Sequence, residues 1–141
     1  MEKVKIFLSG GMGNLSFEEQ SQWRQKIIDA IKFNYECEKK PVFFNPVDYH
    51  NFEEVGYRSE REVMKFDLYN LRNSNLVVVN FNDVKSIGTA MELMLAKEYR
   101  IPVIGFGVNG QAIHPWLLEC CTRVCDTLRE AVEHIVEFYL N

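Results

Sequence analysis

Long hydrophobic runs are missing from this 141-residue chain. Its apolar stretches last only a few residues, far short of the roughly 20 that a helical membrane span needs, so no membrane partner is expected. An excess of one charge sign is missing too: 16 Lys and Arg face 20 Asp and Glu, a formal net charge of −4. That balance offers no electrostatic attraction to a nucleic-acid polymer or an anionic membrane surface. With 4 prolines and 8 glycines, none gathered into a tract, there is no linker and no second domain to separate. Four cysteines (Cys37, Cys120, Cys121, Cys125) form no C-x-x-C pair, and His114 is the only imidazole near the last three. Cys121 and Cys125 share a helical i, i+4 spacing, a weak metal signal by itself, and no metal or cofactor is expected. The thiols read as reduced and mostly buried, which suits a cytoplasmic protein. The opening Met-Glu-Lys-Val-Lys-Ile-Phe-Leu runs straight into a strand-like segment, whereas a signal peptide needs a longer apolar core and a small-residue cleavage site.

What is present is ordinary globular material, 47% hydrophobic and 26% charged, enough for one domain spanning residues 1–141. Short β-rich runs alternate with amphipathic helical ones. Residues 4–9 read as a buried strand, followed by the loop Gly10-Gly11-Met12-Gly13-Asn14. Ser16 and Glu19 have the spacing of a capping box, opening a helix to about residue 33 that buries Trp23, Ile27 and Ile31. A second strand covers 41–45 and stops at Pro46, and 47–59 read as loop. Helices are expected at about 60–73 and 86–99, strands at 76–81 and 102–106, and a loop at 107–113. A short helix at 115–121, a last strand at 122–126 and a closing helix at 127–139 complete the chain. This order predicts an α/β domain, a flavodoxin-like or Rossmann-like three-layer fold with a five-stranded parallel sheet. Sites in such folds lie at the carboxyl ends of the strands, which singles out loops 9–15, 45–59, 80–88 and 106–114.

Two carboxylates conflict with their surroundings. Glu92 lies in the largely apolar Gly88-Thr89-Ala90-Met91-Glu92-Leu93-Met94-Leu95-Ala96, early in a helix that starts at a strand's carboxyl end. A buried carboxylate is costly unless paired or used, and such a position suits a nucleophile. The plainer role is a glutamate at the stripe's edge that reaches solvent. Asp67 shares the inward spacing of Val63 and Leu71, although aspartate is a rare core residue. A structural salt bridge to Arg61 or Arg72 is the plainer alternative. Two carboxylates at one crevice can divide nucleophile and proton-donor roles. The N–H groups around Gly10, Gly11 and Gly13 can approach a phosphate, or simply form a turn. Ser86 either caps the third helix or donates to an anion.

Together these pieces resemble the nucleoside 2-deoxyribosyltransferase family over most of residues 4–106. The resemblance rests on Lys5-Ile6-Phe7-Leu8-Ser9-Gly10-Gly11, Trp23-Arg24, Asn45-Pro46, Asp67, the run Asn82-Asp83-Val84-Lys85-Ser86-Ile87-Gly88-Thr89-Ala90-Met91-Glu92, and Pro102-Val103-Ile104. It implies N-glycosidic bond cleavage through a covalent glycosyl-enzyme intermediate, with the sugar passed to water or another base, as in retaining glycosidases. Glu92 is then the nucleophile and Asp67 the acid that assists the leaving base. Phe7, Gly10, Gly11, Gly13, Asn45, Ser86 and Gly88 surround a nucleoside or nucleotide. Members acting on free nucleosides carry Asp six residues before the nucleophile; Ser86 here resembles the nucleoside 5′-monophosphate N-glycosidase branch. Phe7 departs from the tyrosine common in the first strand. The family also implies a homodimer or higher homo-oligomer, with Asn109, Gln111 and His114 as candidates for donation to a neighbouring subunit's site. Two rivals remain: a non-catalytic nucleotide sensor of the same fold, and a phosphoribohydrolase, which shares Gly-Thr-x-x-Glu but usually sets it behind a second glycine pair.

Overall fold

The computed structural model describes residues 1–50 and 59–141. Five parallel strands, β1 (Lys3–Gly10), β2 (Lys40–Phe44), β3 (Leu76–Asn80), β4 (Val103–Phe106) and β5 (Arg123–Val124), form one sheet in the order β2-β1-β3-β4-β5. The helices are α1 (Phe17–Asn34), α2 (Glu60–Arg72), α3 (Ile87–Glu98), α4 (Pro115–Glu119) and α5 (Leu128–Tyr139), with a short 3₁₀ turn at Pro46–Asp48. This is the three-layer arrangement expected from the sequence, and the strand order is that of flavodoxin-like folds. Some limits move. The strand at 122–126 shrinks to two exposed edge residues, and the helix at 115–121 ends at Glu119. Most of the expected 47–59 loop (51–58) lies outside the described residues.

Alternation along the strands builds two cores. Ile6, Leu8, Leu76, Val78 and Ile104 face Trp23, Ile27 and Ile31 of α1 and Val132, Ile135 and Val136 of α5. Phe7, Val77, Val79 and Val103 face Leu71 of α2 and Leu93 and Ala96 of α3. A strand covered on both faces has no polar side to show, which is why β3 reads Leu-Val-Val-Val. Both N-terminal capping boxes are formed, Ser16 with Glu19 on α1 and Ser59 with Glu62 on α2. Each supplies acceptors for otherwise unpaired N–H groups and fixes where its helix begins.

Neighbouring strands β1 and β3 send their connections to opposite faces, so their carboxyl ends open a crevice. Ser9 lies opposite Val79, and Gly10 opposite Asn80, at that switch point. None of the described helices is long and apolar enough to cross a membrane.

Candidate active site

A cavity of about 520 Å³ occupies the crevice, lined by Gly10 at the end of β1, Met12, Gly13 and Asn14 after it, Glu60, Val63 and Asp67 of α2, and Asp83 and Lys85 to Thr89 with Glu92 around the start of α3. The two carboxylates singled out from the sequence therefore share one cavity. A smaller cavity of about 240 Å³ adjoins it, reaching between α2 and α3 past Met64, Leu68 and Met91, and again lined by Asp67 and Glu92.

Glu92 is half-buried, and its carboxyl is hemmed in closely enough for desolvation to dominate. Burial pushes it up to about 8, against a hydrogen bond from Ser9; Asp67 raises it further, while Arg24 acts downward. The Ser9 hydroxyl donates to Glu92 Oε1 at 2.7 Å. Asp67 is 8% exposed, and its carboxyl is also raised, first by burial, against the His50 charge, the His50 hydrogen bond and Arg24. Its partner is neither Arg61 nor Arg72, both of which are exposed, but His50, whose Nε2 lies 2.7 Å from Asp67 Oδ1. The expected arginine bridge is thus corrected: those side chains leave α2 toward water, while His50 arrives from the segment after β2.

Arg24 is the third charged group. It is fully buried, and its guanidinium donates to the carbonyls of Leu8, Gly10 and Gln20. Burial lowers it to about 10, with Glu92 and Asp67 acting in the opposite direction, so it remains a cation at neutral pH. It ties the end of β1 to α1 and places positive charge behind the two carboxylates.

The glycines divide into two kinds. A Cβ on Gly10 would meet Trp23 Cζ2 at 2.8 Å, and one on Gly11 would meet Asp83 Cβ at 2.7 Å, so packing requires both. Gly11 also donates its N–H to Asn82 Oδ1 and does not line the cavity. Gly13 and Gly88 have nothing within 4 Å of a Cβ and border open space in the cavity. Ser86 caps α3: its Oγ accepts from Thr89 N–H at 3.2 Å and from Thr89 Oγ1 at 2.9 Å. Both lone pairs are used, so the Ser86 proton is left to donate elsewhere.

Other candidates stand apart. Phe7 is fully buried, stacked on Phe44 with centroids 5.2 Å apart, and does not line the cavity. Asn45 is buried and caps the 3₁₀ turn through Val47 N–H. Asn109 takes a positive φ of 48° in an exposed turn, Gln111 donates to the carbonyls of Phe81 and Val108, and His114 caps α4. None of these three borders the cavity of its own chain. Among the cysteines only Cys125 is fully buried, while the other three are half-buried. Burial pushes Cys121 up to about 12 and raises Cys37 and Cys120, which makes thiolate chemistry unfavourable. Among the described residues no group of three His, Cys, Asp or Glu is placed to hold a metal.

Sequence reasoning missed Ser9, His50 and Arg24 as site residues. Ser9 and Arg24 sat inside quoted motifs; His50 fell in a loop already marked as part of the crevice. No protein-family model and no curated protein matches the chain. Solved structures do. The 2-deoxyribosyltransferase of the psychrotolerant bacterium Bacillus psychrosaccharolyticus superposes with a TM-score of 0.70 at 18% identity, over 92% of this chain and 90% of that one. The 2-desoxiribosyltransferase of Leishmania mexicana gives 0.63 at 16%, over 97% and 99%. DNA processing protein A of Helicobacter pylori, which binds single-stranded DNA, gives 0.54 at 14%, over 96% and 81%. At these identities the likeness is one of fold: the chain has the α/β fold on which 2-deoxyribosyltransferases are built.

Proposed function

We propose that this protein cleaves the N-glycosidic bond of a nucleoside or nucleoside 5′-monophosphate through a covalent glycosyl-enzyme intermediate, passing the sugar to water or to another base. The observation that carries this reading is the meeting of Glu92 and Asp67, from two helices, on one crevice beside β1 and β3. Glu92 attacks the anomeric carbon. Asp67, raised by burial and held by His50, gives its proton to the departing base. The Arg24 charge behind them favours ionised Glu92 as the reaction begins.

The monophosphate is the preferred substrate in this reading. The Ser86 proton, the start of α3, the open space over Gly13 and Gly88, and Lys85 suit an anion at that end of the cavity. Glu60 and Asp83 also line the cavity, and Lys85 and the start of α3 supply the positive charge that offsets them for a phosphate. The test is free-base release from a panel of nucleotides and their dephosphorylated nucleosides, with wild type and Ser86→Asp. Aspartate is itself a good helix cap, so the substitution adds charge with little cost to α3. Wild type should prefer the monophosphate, and Ser86→Asp should lower that preference about tenfold to a hundredfold. Binding without base release would instead support a nucleotide sensor. A preference for the free nucleoside, or a ratio that does not move, would remove the phosphate from this site.

A second copy of the chain belongs to the proposal. Ile87 and Trp116 are 76% and 79% exposed, and Met91 and Met94 continue the same apolar surface along α3. That surface begins beside the cavity at Ile87, so a copy seated there would bring another chain next to the site.

A further inference from the structure

Glu92 has two carboxylate oxygens, and the Ser9 hydroxyl donates to one of them, Oε1, at 2.7 Å. Ser9 is 1% exposed and sits at the end of β1, where its backbone is fixed by pairing with Val79 of β3. Side chains alternate along a strand, so Ser9 emerges on the same face as Phe7, toward α3. A short side chain on a paired strand has few ways to move. Its partner, by contrast, is a long side chain on a helix with open cavity beside it.

We infer that Ser9 is a positioning residue that holds Glu92 Oε1 and thereby presents Oε2 as the oxygen that bonds to the anomeric carbon. This rests on the N-glycosidic reading above. As the Oε2–carbon bond forms, the electron pair of the carbon–nitrogen bond moves to the base, which takes its proton from Asp67. Oε1 becomes the ester carbonyl oxygen and still accepts from Ser9. In the second step a water oxygen bonds to the anomeric carbon, the ester bond's electron pair returns to Glu92, and the water's proton goes to the Asp67 carboxylate. Ser9 neither gives nor receives a proton in either step. It keeps the attacking oxygen aimed, and it stabilises the charged carboxylate at the start and the end of the cycle.

A buried serine also needs some hydrogen-bond partner simply to avoid an orphaned hydroxyl, so the test must move something a filler role would not. The side-chain carboxyl of Glu92 is titrated by carbon-13 NMR, assigned by the signal's loss in Glu92→Gln, in wild type, Ser9→Ala and Ser9→Thr. In Ser9→Ala the midpoint should rise by roughly one pH unit, since a bond to the charged form is lost. In the same variant kcat for base release should fall about tenfold to a hundredfold with KM within about twofold, and its rise with pH should shift upward. Ser9→Thr keeps the hydroxyl on a residue suited to a strand and should recover both readouts. Should Ser9→Ala not fold, Ser9→Cys, of similar size and a weak donor, is read in the same way. An unmoved midpoint overturns the Ser9–Glu92 coupling, and a moved midpoint with normal kcat overturns the positioning role. If wild type releases no base from any substrate, the N-glycosidic reading fails by itself, and the NMR titration still decides whether Ser9 holds Glu92.

Discussion

Glu92 stabilises the fold least where it would act best. A carboxyl held at about 8 in the native state titrates near its ordinary value when unfolded. Between those values the native protein binds the extra proton, so stability falls as pH rises through this window. Glu92→Gln has no such decline. Its melting temperature should match wild type near pH 5 and exceed it by several degrees at pH 8, an advantage on the order of 2 kcal/mol once water on the cavity side is allowed for. Thermal melts across that range check this. The same variant should lose at least about a thousandfold in base release, because an amide is a poor nucleophile. In wild type, kcat/KM should climb with pH as Glu92 ionises in the free protein and fall again as Asp67 loses the proton that the leaving base needs. Asp67→Asn should slow release about a hundredfold or more for poor leaving bases and far less for activated ones. Equal slowing across both would contradict a proton-donor role. Phe7 packs on Phe44, and a hydroxyl two residues further along the same face, on Ser9, reaches Glu92.

At the scale of elements, the β1–loop–α1 unit is set by contacts the glycine pattern alone does not announce. Gly10→Ala would press a methyl against Trp23 and the Asn80 carbonyl, and should cost about 1–3 kcal/mol. Gly13→Ala meets nothing in the chain and should leave the melting temperature within about a degree or two, while narrowing the cavity and raising KM. Paired melts and kinetics of the two variants check the contrast. The elements themselves were largely legible: the capping box at Ser16 and Glu19 opens α1 as expected, and the 80–88 loop leads into α3. The last strand was legible in its place but not in its length. Expected over 122–126, it is a strand only at Arg123 and Val124, with the N–H groups of Thr122 and Cys125 donating to the β4 carbonyls of Val103 and Gly105 on either side.

For the whole molecule, the exposed apolar surface on α3 and α4 predicts self-association. Sedimentation of the wild type should show a dimer or larger species, and Trp116→Glu combined with Met94→Glu should shift it to monomer. A wild type that sediments as a monomer at tens of micromolar would remove the second copy from the proposal. Base release measured on the monomeric variant then tells whether the neighbour contributes to the site.

The sequence by itself determined the fold class, because alternating period-two and helical patterns with doubly apolar strands admit few arrangements other than a covered parallel sheet. It also marked Glu92 and Asp67 as carboxylates at odds with their apolar helix faces, although periodicity alone favoured a glutamate reaching solvent and an arginine bridge, and only the family resemblance gave them roles. Tertiary structure decided who stands beside them. Ser9 and Glu92 are 83 positions apart, His50 and Asp67 are 17 apart, and two of the three carbonyls that hold Arg24, those of Leu8 and Gly10, lie on β1 and not on its own helix. No local spacing encodes those meetings. They follow from the β2-β1-β3 order, which brings the ends of β1 and β3 together and sets α2 and α3 on one face above them.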